Sequence, residues 1–154
     1  MKTFVLGLGS NLGNRKESIE KSIQKLAENP AIEVEKISSL IETRAVSKTP
    51  QPSYLNGALL GKTILTPSEL LDVTQEIERH LGRTSKGTGD PRSIDLDILF
   101  FDQDLICLDQ LTIPHPLLHE RAFVLTPLNE IAPDFVHPVL QEKIREIYDR
   151  VVGY

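Results

Sequence analysis

Asp95 and Asp97 stand two apart in the run SIDLDILFF. In an extended strand of period two, both carboxylates leave from one face while Ile94, Leu96 and Ile98 cover the other. Aspartate is depleted from strands, and like charges on one face repel each other. The spacing alone leaves two readings open, a solvated strand face and a metal site. If the pair binds a metal, its all-oxygen donors suit Mg²⁺, with water and phosphate oxygens completing the shell. Just upstream, the stretch RTSKGTGDPR from Arg83 to Arg92 joins three cations, Arg83, Lys86 and Arg92, to flexible glycines. Cations on a flexible loop that leads into a paired-Asp strand read as a lid over polyphosphate, where an isolated loop of this kind would be a solvated basic surface.

The charge distribution fits that reading better than the net charge does. The 154 residues carry 17 Lys+Arg and 22 Asp+Glu, a formal charge of -5 that disfavours nucleic acid as a partner. Yet Arg79 to Arg92 holds four basic residues and one acid, a local +3, and Asp95 to Asp109 holds five aspartates and no cation, a local -5. A basic block beside an acidic one suits an anion that arrives with its counter-cation. With 40% hydrophobic residues and a single cysteine, Cys107, the chain reads as one domain, 1–154, that needs no disulfide. There is no apolar run of membrane-spanning length, and the apolar start MKTFVLGLG is too short for a secretion signal, so a cytoplasmic location is expected.

Hydrophobic periodicity supplies the elements that must hold these residues. Residues 2 to 8 read as a strand, and a helix capped by Asn14 and Glu17 carries Ile19, Ile23 and Leu26 until Asn29-Pro30 stops it. Residues 32 to 42 partly alternate, and 54 to 64 form another strand-like run. Thr66, Pro67 and Glu69 then start a helix with Leu70, Val73, Ile77 and Leu81 on one face, ended by Gly82. Ile94 to Phe101 returns to a strand. The order βαββαβ predicts an α+β, ferredoxin-like core: an antiparallel sheet with helices on one face. Helical segments are expected near Glu120–Glu130 and Gln141–Val151.

Several motifs imitate sites. Gly61-Lys62-Thr63 resembles the end of a phosphate loop, but that motif needs glycine at 56, where Asn56 stands, and the GKT lies inside a predicted strand. Gly7, Gly9 and Gly13 miss the dinucleotide spacing and read as a tight strand-to-helix turn. His115 and His119 are four apart, but Pro114 and Pro116 deny them a shared helix, which counts against zinc. For His80 and His137, surface or capping roles are expected.

Together, DPRSIDLDILFFD (90–102), LTIPHP (111–116) and ERAFVLTPLNEIAP (120–133) resemble the 6-hydroxymethyl-7,8-dihydropterin pyrophosphokinase family. The blocks GSNLG (9–13), SSLIET (38–43), QPSYLNGA (51–58) and QEIERHLGR (75–83) follow in the family's order. The resemblance implies transfer of pyrophosphate from ATP to the pterin hydroxymethyl group in folate biosynthesis, releasing AMP. It implies that Asp95 and Asp97 hold two Mg²⁺ ions on the ATP phosphates and that Arg83 and Arg92 clamp those phosphates. Lys86, Gln75, Glu78, Ile98, Thr112, His115 and Arg121 would face the nucleotide. Thr43, Tyr54, Asn56 and Phe123 would form the pterin pocket, where aromatic faces and a carboxamide suit a flat ring with amide-like edges. A monomer with no nucleic-acid or membrane partner is expected. Thr88-Gly89-Asp90 and Arg44 depart from the family pattern, and Asp90 adds a negative charge beside the phosphate site. From the residues alone, a ferredoxin-like RNA- or metabolite-binding module and a metal-dependent phosphohydrolase are the competing readings, though only 5% aromatic content disfavours RNA.

Overall fold

The computed structural model describes residues 1–43, 53–82 and 94–153. The principal sheet runs β2-β4-β1-β5, from β1 (Lys2–Ser10), β2 (Ile32–Ile37), β4 (Tyr54–Thr63) and β5 (Asp95–Phe101), with β3 (Ile41–Thr43) also on β4. Every pairing is antiparallel. With α1 (Arg15–Glu28) after β1 and α2 (Pro67–His80) after β4, this is the expected ferredoxin-like order. The run 32 to 42, read as one strand, is two: β2 and β3 lie end to end along β4, separated at Ser38–Leu40.

Alternation along β1 divides the core. Phe4, Leu6 and Leu8 point to one face, where they meet Ile19 and Leu26 of α1 and Leu70 and Ile77 of α2. Val5 points to the other, with Leu99 and Phe100 of β5. That second face is covered by α3 (Ala122–Ile131) and α4 (Ile144–Val151) through Leu125, Leu128, Ile144 and Ile147. Helices therefore cover both faces, where the core pattern alone predicts one. Each fully buried Leu, Ile or Phe contributes roughly 1.5–3 kcal/mol through removal of apolar surface from water. A bulge feeds the second core: Val5 pairs with Phe100 and Leu6 with Ile98, so Leu99 is the extra residue, and both Leu99 and Phe100 turn to the same side.

The caps explain the helix limits. Asn14 Oδ1 accepts from the Glu17 amide at 3.1 Å, and Thr66 and Glu69 form a reciprocal capping box ahead of Pro67. A short hairpin, β6 (Ile106–Leu108) with β7 (Leu111–Ile113), and a 3₁₀ turn at Leu118–Glu120 lead into α3. Gly61-Lys62-Thr63 does lie within β4, and a Cβ at Gly61 would stand 2.5 Å from the Glu33 carbonyl and 2.8 Å from the Phe4 ring. This glycine serves packing, not phosphate.

His137 is buried at 4% exposure beside Phe100, whose ring centroid is 5.5 Å away. Its Nδ1 accepts from the amides of Val139 and Leu140, both at 3.1 Å, so it does cap a turn. Burial holds its imidazole below the ordinary value; nearby His119 pushes the same way and Glu142 opposes. A folded-state value below the unfolded one means full stability above about pH 6.5, lost as pH falls through that value because the unfolded chain takes up the proton first. Urea midpoints should fall between pH 7.5 and pH 5.5, roughly, and fall less in His137→Asn; an equal fall in both proteins would remove His137 as the cause.

Candidate functional site

Asp95 and Asp97 of β5 lie directly across from Gly9 and Gly7 of β1. On the other side of β1, Gly9 pairs with Asn56 and Gly7 with Ala58 of β4. The two carboxylates therefore share a sheet face with Asn56, separated by a strand that carries no side chains there. Gly7 and Gly9 are strand residues, so reading them as the strand-to-helix turn is corrected; only Gly13, at φ +67°, takes a turn conformation. A Cβ on Gly9 would stand 3.2 Å from Asn56 Oδ1 and 3.7 Å from the Tyr54 ring, filling the trough there, whereas the space over Gly7 is taken by Leu99, whose Cδ2 would be 3.5 Å from a Cβ.

On the β4 side, Asn56 is 8% exposed and its Nδ2 donates to Thr43 Oγ1 at 2.6 Å. Thr43 pairs with Tyr54 across the β3–β4 ladder. Three of the four residues expected in a pterin pocket are thus joined by one register and one hydrogen bond. The fourth, Phe123, opens α3, and the guanidinium of Arg121 lies 5.6 Å from its ring centroid.

Of the residues expected to face the nucleotide, Ile98 lies on β5, Gln75, Glu78, Thr112 and His115 lie on segments beside it, and Arg121 precedes α3. Glu78 of α2 is 3% exposed, and its Oε2 accepts from the Leu96 amide at 2.8 Å. This bond tethers the backbone between the two aspartates to α2. Gln75 lies one turn earlier on that helix. The His115 amide donates to the Leu99 carbonyl at 3.1 Å, and β7, which carries exposed Thr112, also packs against β5. The Ile98 side chain is buried in the first core, away from the carboxylate face. Arg83, Lys86 and Arg92 lie outside the described residues. Among the described residues no group of three or more His, Cys, Asp or Glu could hold a metal, and no helix is long and apolar enough to cross a membrane.

Sequence reasoning missed the trough. The signal was present in the two-residue spacing of Gly7 and Gly9, which matches that of Asp95 and Asp97, but only the register aligns them. It also missed the Glu78 tether. Glu78→Ala should destabilise the fold by about 1–3 kcal/mol, because it leaves a buried amide without its acceptor, with a smaller loss for Glu78→Gln; an unchanged thermal midpoint for the alanine variant would contradict the tether.

Comparison with known proteins identifies the family. The family model described as 7,8-dihydro-6-hydroxymethylpterin-pyrophosphokinase (HPPK) matches residues 5–133. A 2-amino-4-hydroxy-6-hydroxymethyldihydropteridine pyrophosphokinase from Aquifex aeolicus is 41% identical over 95% of this chain and 90% of its own length. The protein of the same name from Bacillus subtilis is 45% identical, over 82% of this chain and 75% of its own. Among solved structures, Plasmodium falciparum HPPK-DHPS, wild type with SDX-DHP, superposes with a TM-score of 0.74 at 19% identity. That superposition covers 97% of this chain and 43% of the Plasmodium chain, and at such identity it speaks for the fold alone. The chain belongs to the 6-hydroxymethyl-7,8-dihydropterin pyrophosphokinase family, ATP-using enzymes that transfer pyrophosphate to the pterin in folate biosynthesis.

Proposed function

We propose that the reaction runs across the glycine trough of β1, with ATP phosphates on the Asp95–Asp97 side and the pterin on the Asn56–Tyr54 side. The observation that supports this reading most is the shared register, Asp95 and Asn56 both opposite Gly9. The overall reaction, pyrophosphate transfer from ATP to 6-hydroxymethyl-7,8-dihydropterin with release of AMP, is that of the family.

Two hard carboxylates on one strand face, with no third protein carboxylate or imidazole grouped with them among the described residues, suit Mg²⁺ that keeps water and substrate phosphate in its shell. Asp95 and Asp97 would hold two such ions, which would supply charge neutralisation at the phosphates. The protein's own part is positioning. Asn56 reads the ring edge with its amide held by Thr43, while Tyr54 and Phe123 offer flat apolar faces. Gln75, Thr112, His115 and Arg121 border the nucleotide, while Glu78 and Ile98, whose side chains are buried, act on that side by holding β5 in place. Arg83, Lys86 and Arg92 clamp the phosphates and stabilise charge on the transferring group. Such a transfer depends on in-line placement and electrostatics more than on a covalent intermediate. The enzyme works as a cytoplasmic monomer of one domain, with ATP and the pterin as its partners and no nucleic acid or membrane.

The direct test is AMP formation from ATP, Mg²⁺ and 6-hydroxymethyl-7,8-dihydropterin by the purified protein. Asp97→Ala should lower turnover by about a hundredfold or more, since metal-assisted charge stabilisation is worth several kcal/mol. ADP or free phosphate as the product, or near-normal AMP formation by the variant, would refute the assignment.

A further inference from the structure

We infer that Arg15 is a positioning residue for the pterin side of the site, an inference that rests on the proposed placement of the pterin at Asn56 and Tyr54. Its Nη1 donates to the Ser53 carbonyl at 2.8 Å and to Glu42 Oε1 at 3.3 Å. These acceptors lie on either side of the β3–β4 pairing, for Glu42 pairs with Leu55 and Thr43 with Tyr54. One guanidinium therefore ties the start of α1 to β3 and to the entry of β4.

The position of Arg15 argues for a tertiary role. Asn14 caps α1, so Arg15 is the first helical residue, where the positive end of the helix dipole disfavours a cation. Tertiary acceptors must offset that cost. Glu42 contributes little, because its side chain is 61% exposed and the pair is solvated. The bond to the Ser53 carbonyl is shorter, partly buried and charge-assisted, so it carries more of the tie.

What this bond holds is short of support of its own. β3 has three residues and, among the described residues, pairs with β4 and no other strand. Ahead of β3, Glu130 of α3 accepts from the Ser39 amide at 3.0 Å and from its hydroxyl at 2.9 Å. At the far end, among the described residues, Arg15 bonds Glu42 and Ser53. Between them Thr43 accepts the Asn56 amide and so sets which edge of the carboxamide faces the trough. Loss of Arg15 lets Thr43 and Tyr54 shift, and Asn56 loses its fixed orientation.

The experiment is steady-state kinetics of AMP formation with the full chain, comparing wild type, Arg15→Met and Arg15→Lys, together with amide hydrogen exchange over residues 53–56. Arg15→Met should raise the KM for the pterin about tenfold, the loss expected for one charge-assisted hydrogen bond. Arg15→Lys, which keeps a donor but not the two-acceptor geometry, should raise it less, about threefold. The KM for ATP and kcat should stay within about twofold, and exchange at 53–56 should accelerate in both variants. A merely structural role would lower the thermal midpoint without separating the two KM values, and would overturn the inference. So would equal rises in both KM values, or unchanged pterin KM and exchange. Should Arg15→Met fail to fold, Arg15→Lys decides by the same criteria. If wild type forms no AMP, the functional reading fails on its own, and exchange at 53–56 still decides whether Arg15 holds this ladder.

Discussion

The double pairing of β1 is the constraint on which the site depends. Gly7 and Gly9 lie between β4 and β5, and a side chain at Gly9 would crowd Asn56 and Tyr54. Because adjacent strands lie about 4.8 Å apart, the bare position at Gly9 leaves a gap roughly two strand spacings wide between Asp95 and Asn56, while Leu99 covers Gly7. That width is set by sheet geometry rather than by loops, so Asp95 and Asn56 are rigidly related. The buried alternation of Phe4, Leu6 and Leu8 holds β1 in register from the opposite face, since a one-residue slip would turn all three out of the core.

Each side of the gap has its own anchors. β5 is held from its outer side by Glu78, which accepts the Leu96 amide, and by the His115 amide on the Leu99 carbonyl. The Leu99 bulge anchors the far end of the same strand in the second core. β3 and β4 are held by Glu130 from α3 and by Arg15 from α1. The carboxylate face is thus braced by helices on both sides of the sheet, through polar residues distant from Gly9. The opposite charges of residues 79–92 and 95–109 suit a phosphate chain and its cations better than the overall charge of -5 would suggest.

Much of the fold was legible because its elements follow simple periods. Ile19, Ile23 and Leu26, the Thr66–Glu69 cap and the Asp95–Phe101 alternation each mark their element locally, and the structure has them as helix, cap and strand. The division of 32–42 into two strands was not legible, because the interruption at Ser38–Leu40 depends on Ser38 accepting the Ala58 amide 20 residues away. Nor was the second helical face: Leu125, Leu128, Ile144 and Ile147 announce amphipathic helices but not the side of the sheet they choose. At the site, the carboxylate pair was readable from its spacing, whereas the role of the glycines was hidden. Glycine in a strand carries no pattern of its own, and only the partners across the ladder reveal what its missing side chain makes room for.

A structure of the protein with Mg²⁺, a non-hydrolysable ATP analogue and the pterin would test the division of the site by β1 most directly. The phosphate chain is expected above Asp95 and Asp97, the pterin edge within hydrogen-bond reach of Asn56, and Gly9 between them with no side chain intervening. A pterin bound away from Asn56, or both substrates on the same side of β1, would contradict that division.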